Sequence, residues 1–208
     1  MVEKRAHLQS DEHGIIVFDQ QFPNDGSEPN NCLMSIDCID CQCYDPAPFD
    51  PDMYSEKHNG PGLKYKIGVC IRTGHIVWIN GAYKCGEFLD LKVFRDDLIN
   101  RLDPDEMVEV DKGYLGEPKC KVPLQGITTH ERKEKSVVRG RHETVNGCLR
   151  NFNVLASCFH HHHEGIDETM AKHEACFAAV AVITQLKILC GETEVFDVKY
   201  NVSYNLPK

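Results

Sequence analysis

The stretch KYKIGVCIRTGHIVWING, residues 64–81, restricts this chain most. Two runs rich in β-branched and aromatic residues, 65–71 and 75–81, flank a short Arg-Thr-Gly turn that ends in Gly74. That pattern predicts a β-hairpin. Upstream, CLMSIDCID at 32–40 predicts a buried strand interrupted by two aspartates, followed by a long loop punctuated by proline and glycine.

Downstream, residues 90–102 place Leu91, Phe94, Leu98, Ile99 and Leu102 on one side at helical spacing, with Asp90 as the expected cap. MVEVD then predicts a strand ending at Asp111, and 112–130 a loop. From about 136 to 155 the spacing is helical again, with Val145, Cys148, Leu149 and Phe152 on one face. A last long helix over 167–189 is apolar nearly all round in its middle, which predicts deep packing against a sheet. This order of elements implies an α/β fold, a mixed central sheet with helices on its faces. Three segments are expected: a polar lead-in over 1–31 with one short strand or helix end at 14–18, a domain over 32–190, and a tail over 191–208 with a short strand at 194–200.

The chain has 208 residues, 41% hydrophobic and 26% charged, which fits one globular domain and excludes a disordered or fibrous class. Its start is too charged for a secretory signal and no apolar run reaches a membrane span, so a soluble, intracellular protein is expected. Eleven cysteines in such a chain read as free thiols. The net charge of −9 excludes a generic DNA coat. Residues 129–153 nevertheless carry Arg132, Lys133, Lys135, Arg139, Arg141 and Arg150 against only Glu131, Glu134 and Glu143. That strip suits a directed polyanion contact as well as an ordinary solvated helix face.

Two strand aspartates stand out, Asp37 in LMSIDCID and Asp111 in VEVDKGY. A buried ionised carboxylate is costly unless paired or bound to a cation. If their strands are neighbours, roughly 4.8 Å apart, both can face one spot. Glu143, on the helix with the basic strip, is the best-placed third oxygen donor. Three hard oxygen ligands suit Mg²⁺ or Mn²⁺ better than zinc. His142, beside Glu143 on the helix, is expected to point elsewhere, to the surface or towards DNA.

SIDCID, the 60–81 hairpin, CGEFLDLKVFRDDL, VEVDKGYLGE and GRHETVNGCLRNFNVL occur in the order found in DDE-superfamily transposase endonucleases. The chain resembles the Harbinger-type branch over about residues 30–190. The resemblance implies an RNase H-like fold and a nuclease or transposase that cuts and joins DNA with two Mg²⁺ or Mn²⁺ ions. It assigns Asp37, Asp111 and Glu143 as catalytic metal ligands and gives Asp90 a supporting role. Arg139, Arg141 and Arg150 would contact DNA phosphates. It also implies nuclear placement, a separate DNA-recognition protein and a homodimer. The family's glycine–threonine turn after the first aspartate is replaced by Cys38 and Ile39, with Asp40 as an alternative ligand. About thirty residues precede Asp37, too few for the family's N-terminal helix-turn-helix region, so an isolated catalytic domain is expected. A catalytically inactive DNA- or protein-binding domain is the alternative function.

Other motifs give less. Cys32, Cys38, Cys41 and Cys43, with the histidines at 160–163, offer zinc ligands without a second C-x-x-C pair. GPG at 60–62 and KGYLG at 112–116 lack the lysine and hydroxyl of a nucleotide loop.

Overall fold

The computed structural model describes residues 8–10, 16–18, 32–46, 48, 50–87, 90–104, 106–122, 129–160 and 165–193. In chain order the strands and helices are β1 (Leu8–Ser10), β2 (Ile16–Phe18), β3 (Cys32–Gln42), β4 (Tyr54–Ser55), β5 (Gly60–Cys70), β6 (Ile76–Lys84), α1 (Asp90–Asp96), β7 (Met107–Glu109), β8 (Cys120–Lys121), α2 (Thr129–Arg150), α3 (Asn153–Ala156) and α4 (Ile166–Leu189). The sheet runs β1-β2-β6-β5-β3-β7-β8, with β4 paired to β5. β3 is antiparallel to β5 and parallel to β7, and β7 is parallel to β8, so the sheet is mixed. The lead-in supplies two strands, through which β2 pairs with β6. The expected strand at 194–200 lies outside the described residues.

The hairpin is the centre of this sheet. Cys70 and His75 close it with a 2.8 Å backbone bond, and Gly74, at φ 74°, makes the left-handed turn that a side chain resists. From Met34 onward, alternation along β3 and β5 divides the apolar residues between two main cores. Ile39, Cys41, Tyr65, Ile67 and Val69 face α2 and α4, where Val145, Leu149, Phe177 and Val180 cover them. Ile36, Trp78, Val93, Phe94, Val108 and Tyr114 form the core beneath α1.

Helix ends depart from the sequence pattern where side chains found stronger partners. α1 stops at Asp96, and a 3-10 turn, Leu98–Asn100, carries on the apolar stripe. The break falls at Asp97, whose carboxylate accepts from Trp78 Nε1 at 3.0 Å, Asn80 Nδ2 at 3.1 Å and Arg101 Nε at 2.7 Å. The expected helix over 136–155 begins earlier and is split into α2 and α3. α4 does not pack all round. Its Thr169, His173, Phe177, Val180, Ala181, Thr184 and Gln185 form one buried face, while Ile183, Leu186 and Leu189 reach the surface. A helix laid on one sheet face can bury only one stripe, whatever the apolarity of the remainder.

His173 pins that stripe. The Tyr65 hydroxyl and His173 Nδ1 share a 2.7 Å hydrogen bond, and the Tyr65 ring stacks on Phe177 at 3.8 Å. Burial pulls the His173 pKa down from 6.5 to about 4. Between those values the unfolded chain binds the extra proton and the folded one does not. Its contribution is therefore whole above pH 6.5, declines as pH falls below that value, and is fully lost below about 4. Urea midpoints measured across this window should fall less steeply for His173→Asn than for the parent. Equal slopes would mean that His173 titrates alike in both states.

Candidate active site

β3 and β7 bring the two strand aspartates together. They run parallel with Ser35 opposite Glu109, and Asp37 and Asp111 each follow two residues beyond that last pair. Both aspartates line one cavity of about 100 Å³, together with Ser35, Glu109, Lys135, Arg139 and His142 over an apolar floor of Ile36, Val110 and Val138.

Each aspartate is aimed by backbone. Asp37 Oδ1 accepts from its neighbour Cys38 N at 2.8 Å, and Oδ2 accepts from Asn146 Nδ2 on α2 at 3.3 Å. Asp111 has extended backbone, φ −79° and ψ −174°, and caps the 3-10 turn Lys112–Tyr114, its Oδ1 accepting from Gly113 N at 2.9 Å. It therefore starts a turn and faces the cavity at once. Asp40, three residues from Asp37, lies on the opposite sheet face, where its carboxylate accepts from Ser55 Oγ at 2.7 Å. Strand alternation removes it as a substitute for Asp37. Cys38 and Ile39 fit without strain because β3 continues unbroken to Gln42, with Ile39 fully buried.

Glu143 stands at the rim. It shares an α2 stripe with Arg139 and Asn146, the first lining the cavity and the second holding Asp37. Glu143 itself is exposed, and its Oε1 lies 3.3 Å from Arg139 Nε. Among the described residues no three His, Cys, Asp or Glu side chains form a ready metal cluster. Asp37 and Asp111 thus converge directly, and Glu143 adjoins them without lining the cavity.

The chemistry of these donors nevertheless fits a hard divalent ion. Three carboxylates, Asp37, Glu109 and Asp111, line one small cavity, Glu109 being paired with Lys135, while the Cys38 thiol points to the other face and donates to Asp90 Oδ1 at 3.1 Å. Exposed helix pairs four residues apart are worth about 0.3–0.5 kcal/mol, so Arg139 presents little obstacle to recruiting Glu143.

Two expected surface residues are buried. Arg141, expected on a DNA-facing surface, is buried and donates to the Ile71 carbonyl inside the core, whereas Arg139 and Arg150 are exposed. His142 is buried too, its Nδ1 within 2.8 Å of Ser35 Oγ. Burial pulls its pKa down to about 3, against the opposing influence of the Ser35 hydrogen bond, so the ring is neutral at pH 7. His142 Nε2 and Asn146 Oδ1 are buried without a hydrogen-bond partner among the described residues. Each such atom costs about 1–3 kcal/mol. Asn146 escaped the sequence reading, although its spacing of three from Glu143 already puts the two on one helix face.

Among the described residues the Asp90 side chain makes no cap on α1. It meets the buried Lys66 Nζ at 2.8 Å and Lys64 Nζ at 3.6 Å, while Lys66 also donates to the Tyr114 hydroxyl. Burial works against the Asp90 charge, yet the two lysines and the Cys38 thiol hold its pKa below the ordinary value. The cysteines of β3 and the residues after it are scattered over different surroundings. Cys41 and Cys43 join the α2 and α4 core, Cys38 faces Asp90, and Cys32 packs with Ile71 and Val138. Of the histidine run only His160 is described, with its ring 3.8 Å from that of Tyr44. A larger open groove of about 610 Å³ beside residues 42–45 contains none of the three expected acids.

Residues 36–185 match the DDE superfamily endonuclease family, and the chain belongs to that family. The matched segment contains Asp37, Asp90, Asp111 and Glu143. Comparison with curated proteins and with solved structures gives no match. Among the described residues no helix is long and apolar enough to cross a membrane.

Asp90 is expected to act through Lys66 and not as a ligand. Asp90→Ala should cost about 3–5 kcal/mol of unfolding free energy, since a buried ammonium loses its counter-charge. Denaturant titration checks this, and a loss below about 1 kcal/mol would place Lys66 among adequately solvated surface charges.

Proposed function

We propose that this chain is a divalent-metal-dependent DNA endonuclease or strand transferase of the Harbinger-type transposase branch, built on an RNase H-like fold. The observation that carries the reading is the meeting of Asp37 and Asp111, 74 residues apart in sequence, on one cavity inside the family-matched segment. Asp37, Asp111 and Glu143 would hold two Mg²⁺ or Mn²⁺ ions. When bound, such ions supply an activated water and stabilise the oxygens around phosphorus during in-line displacement.

The protein's own groups aim and neutralise. Cys38 N and Asn146 orient the Asp37 carboxylate, and Gly113 N orients that of Asp111. On exposed α2 positions Arg132, Lys133, Arg139 and Arg150 offer charge to a phosphate backbone despite the acidic net charge. Lys135 is committed to Glu109 at 3.2 Å on the cavity wall. DNA is the substrate that the family implies. Nuclear placement, self-association and a separate DNA-recognition protein belong to the same proposal.

A catalytically silent DNA- or protein-binding domain is the competing reading. It is favoured by the Glu143 carboxylate resting on Arg139 and by the Cys38 and Ile39 departure from the family's motif. Plasmid nicking in Mg²⁺ or Mn²⁺ separates the two. Asp111→Asn keeps an oxygen for Gly113 N while removing the charge, and should lower nicking by roughly a hundredfold or more without unfolding the protein. Salt-sensitive DNA binding with no nicking in either ion would select the silent domain.

A further inference from the structure

Ser35 and Asp37 lie two apart on β3, and His142 and Asn146 lie four apart on α2. The two spacings match: roughly 6.6 Å along a strand and roughly 6 Å along a helix. Both strand residues face α2, and each meets its own helix partner. Ser35 Oγ is 2.8 Å from His142 Nδ1, and Asn146 Nδ2 donates to Asp37 Oδ2 at 3.3 Å. Between these two rungs, on the helix, stands Glu143.

Polar groups here are a choice against stability. Val138, Val145 and Leu149 show that this side of α2 accepts apolar residues, yet His142 Nε2 and Asn146 Oδ1 are buried with no partner among the described residues. Apolar contact is non-directional, so a purely apolar interface would tolerate a helix displaced along its strand. Buried polar pairs do not, which is how single buried asparagines fix register between packed helices. One turn of displacement would carry Glu143 roughly 5.4 Å along the helix axis, out of reach of a cation shared with Asp37.

We propose that His142 and Asn146 are positioning residues, two hydrogen-bonded rungs that set the register of α2 on β3 and so deliver Glu143 beside Asp37. This rests on the metal-binding reading above. Asn146 has a second task, since its amide fixes the rotamer of the Asp37 carboxylate itself. Groups that orient metal-binding carboxylates from outside typically alter affinity ten- to a hundredfold when removed.

The experiment is Mn²⁺ binding to the full chain by calorimetry without DNA, with thermal unfolding recorded for every variant. Asn146→Ala and His142→Leu should each weaken Mn²⁺ by about tenfold or more while remaining folded. His142→Asn, whose amide occupies the place of Nδ1, should bind Mn²⁺ nearly as the parent does. If His142→Leu fails to fold, Ser35→Ala removes the same rung from the strand side and should give the same loss. Parental affinity in folded Asn146→Ala and in His142→Leu or Ser35→Ala, with affinity lost in Asp111→Asn, overturns this inference alone. Equal losses in His142→Asn and His142→Leu overturn the role of the Ser35 hydrogen bond. A parent protein that binds no Mn²⁺ overturns the metal reading and the inference together.

Discussion

The parallel pairing of β3 with β7 is the contact on which the site depends. It sets a residue early in the domain beside one that follows the hairpin, α1 and the loops between them, and it does so with Ser35 opposite Glu109. A shift of one residue would send Asp37 to the α1 side, where Lys66 and Asp90 already form their own pair. The buried apolar residues of β3 resist that shift, because Ile39 and Cys41 would leave one core while Ile36 left the other.

The two sheet faces divide the polar work. Beneath α1, Lys66, Asp90, Tyr114 and Cys38 tie β5, α1, β3 and the turn after Asp111 into one buried network. Beneath α2, Ser35, Asp37, His142 and Asn146 join strand to helix around the cavity. Asp37 and Cys38 are adjacent in sequence and belong to different networks.

Much of this was legible in the residues. The hairpin, the strand before Asp111 and the long C-terminal helix each carry a strong local period, and local period survives tertiary packing. The choice between Asp37 and Asp40 was also present, since residues three apart on a strand face opposite ways. The burial of Arg141 and His142 follows their spacing and runs against their polarity. Both lie three or four residues before Val145, on the stripe that continues to Leu149, and the helix buries that stripe regardless of charge. The end of α1 was illegible for a different reason: the pull of Trp78 and Asn80 on Asp97 comes from a strand far away in sequence.

The sequence by itself determined the alternation of each strand, the apolar stripes of the helices and the family to which the chain belongs, because these follow from residue order and near neighbours. Tertiary structure alone decided which strands became neighbours, that Asp111 lines the same cavity as Asp37, and that Glu143 rests on Arg139 and not in the cavity. The physical reason is range. Backbone periodicity repeats every two or 3.6 residues, whereas a site made from residues 37, 111 and 143 exists only once the buried faces of β3, β7 and α2 have closed on one another.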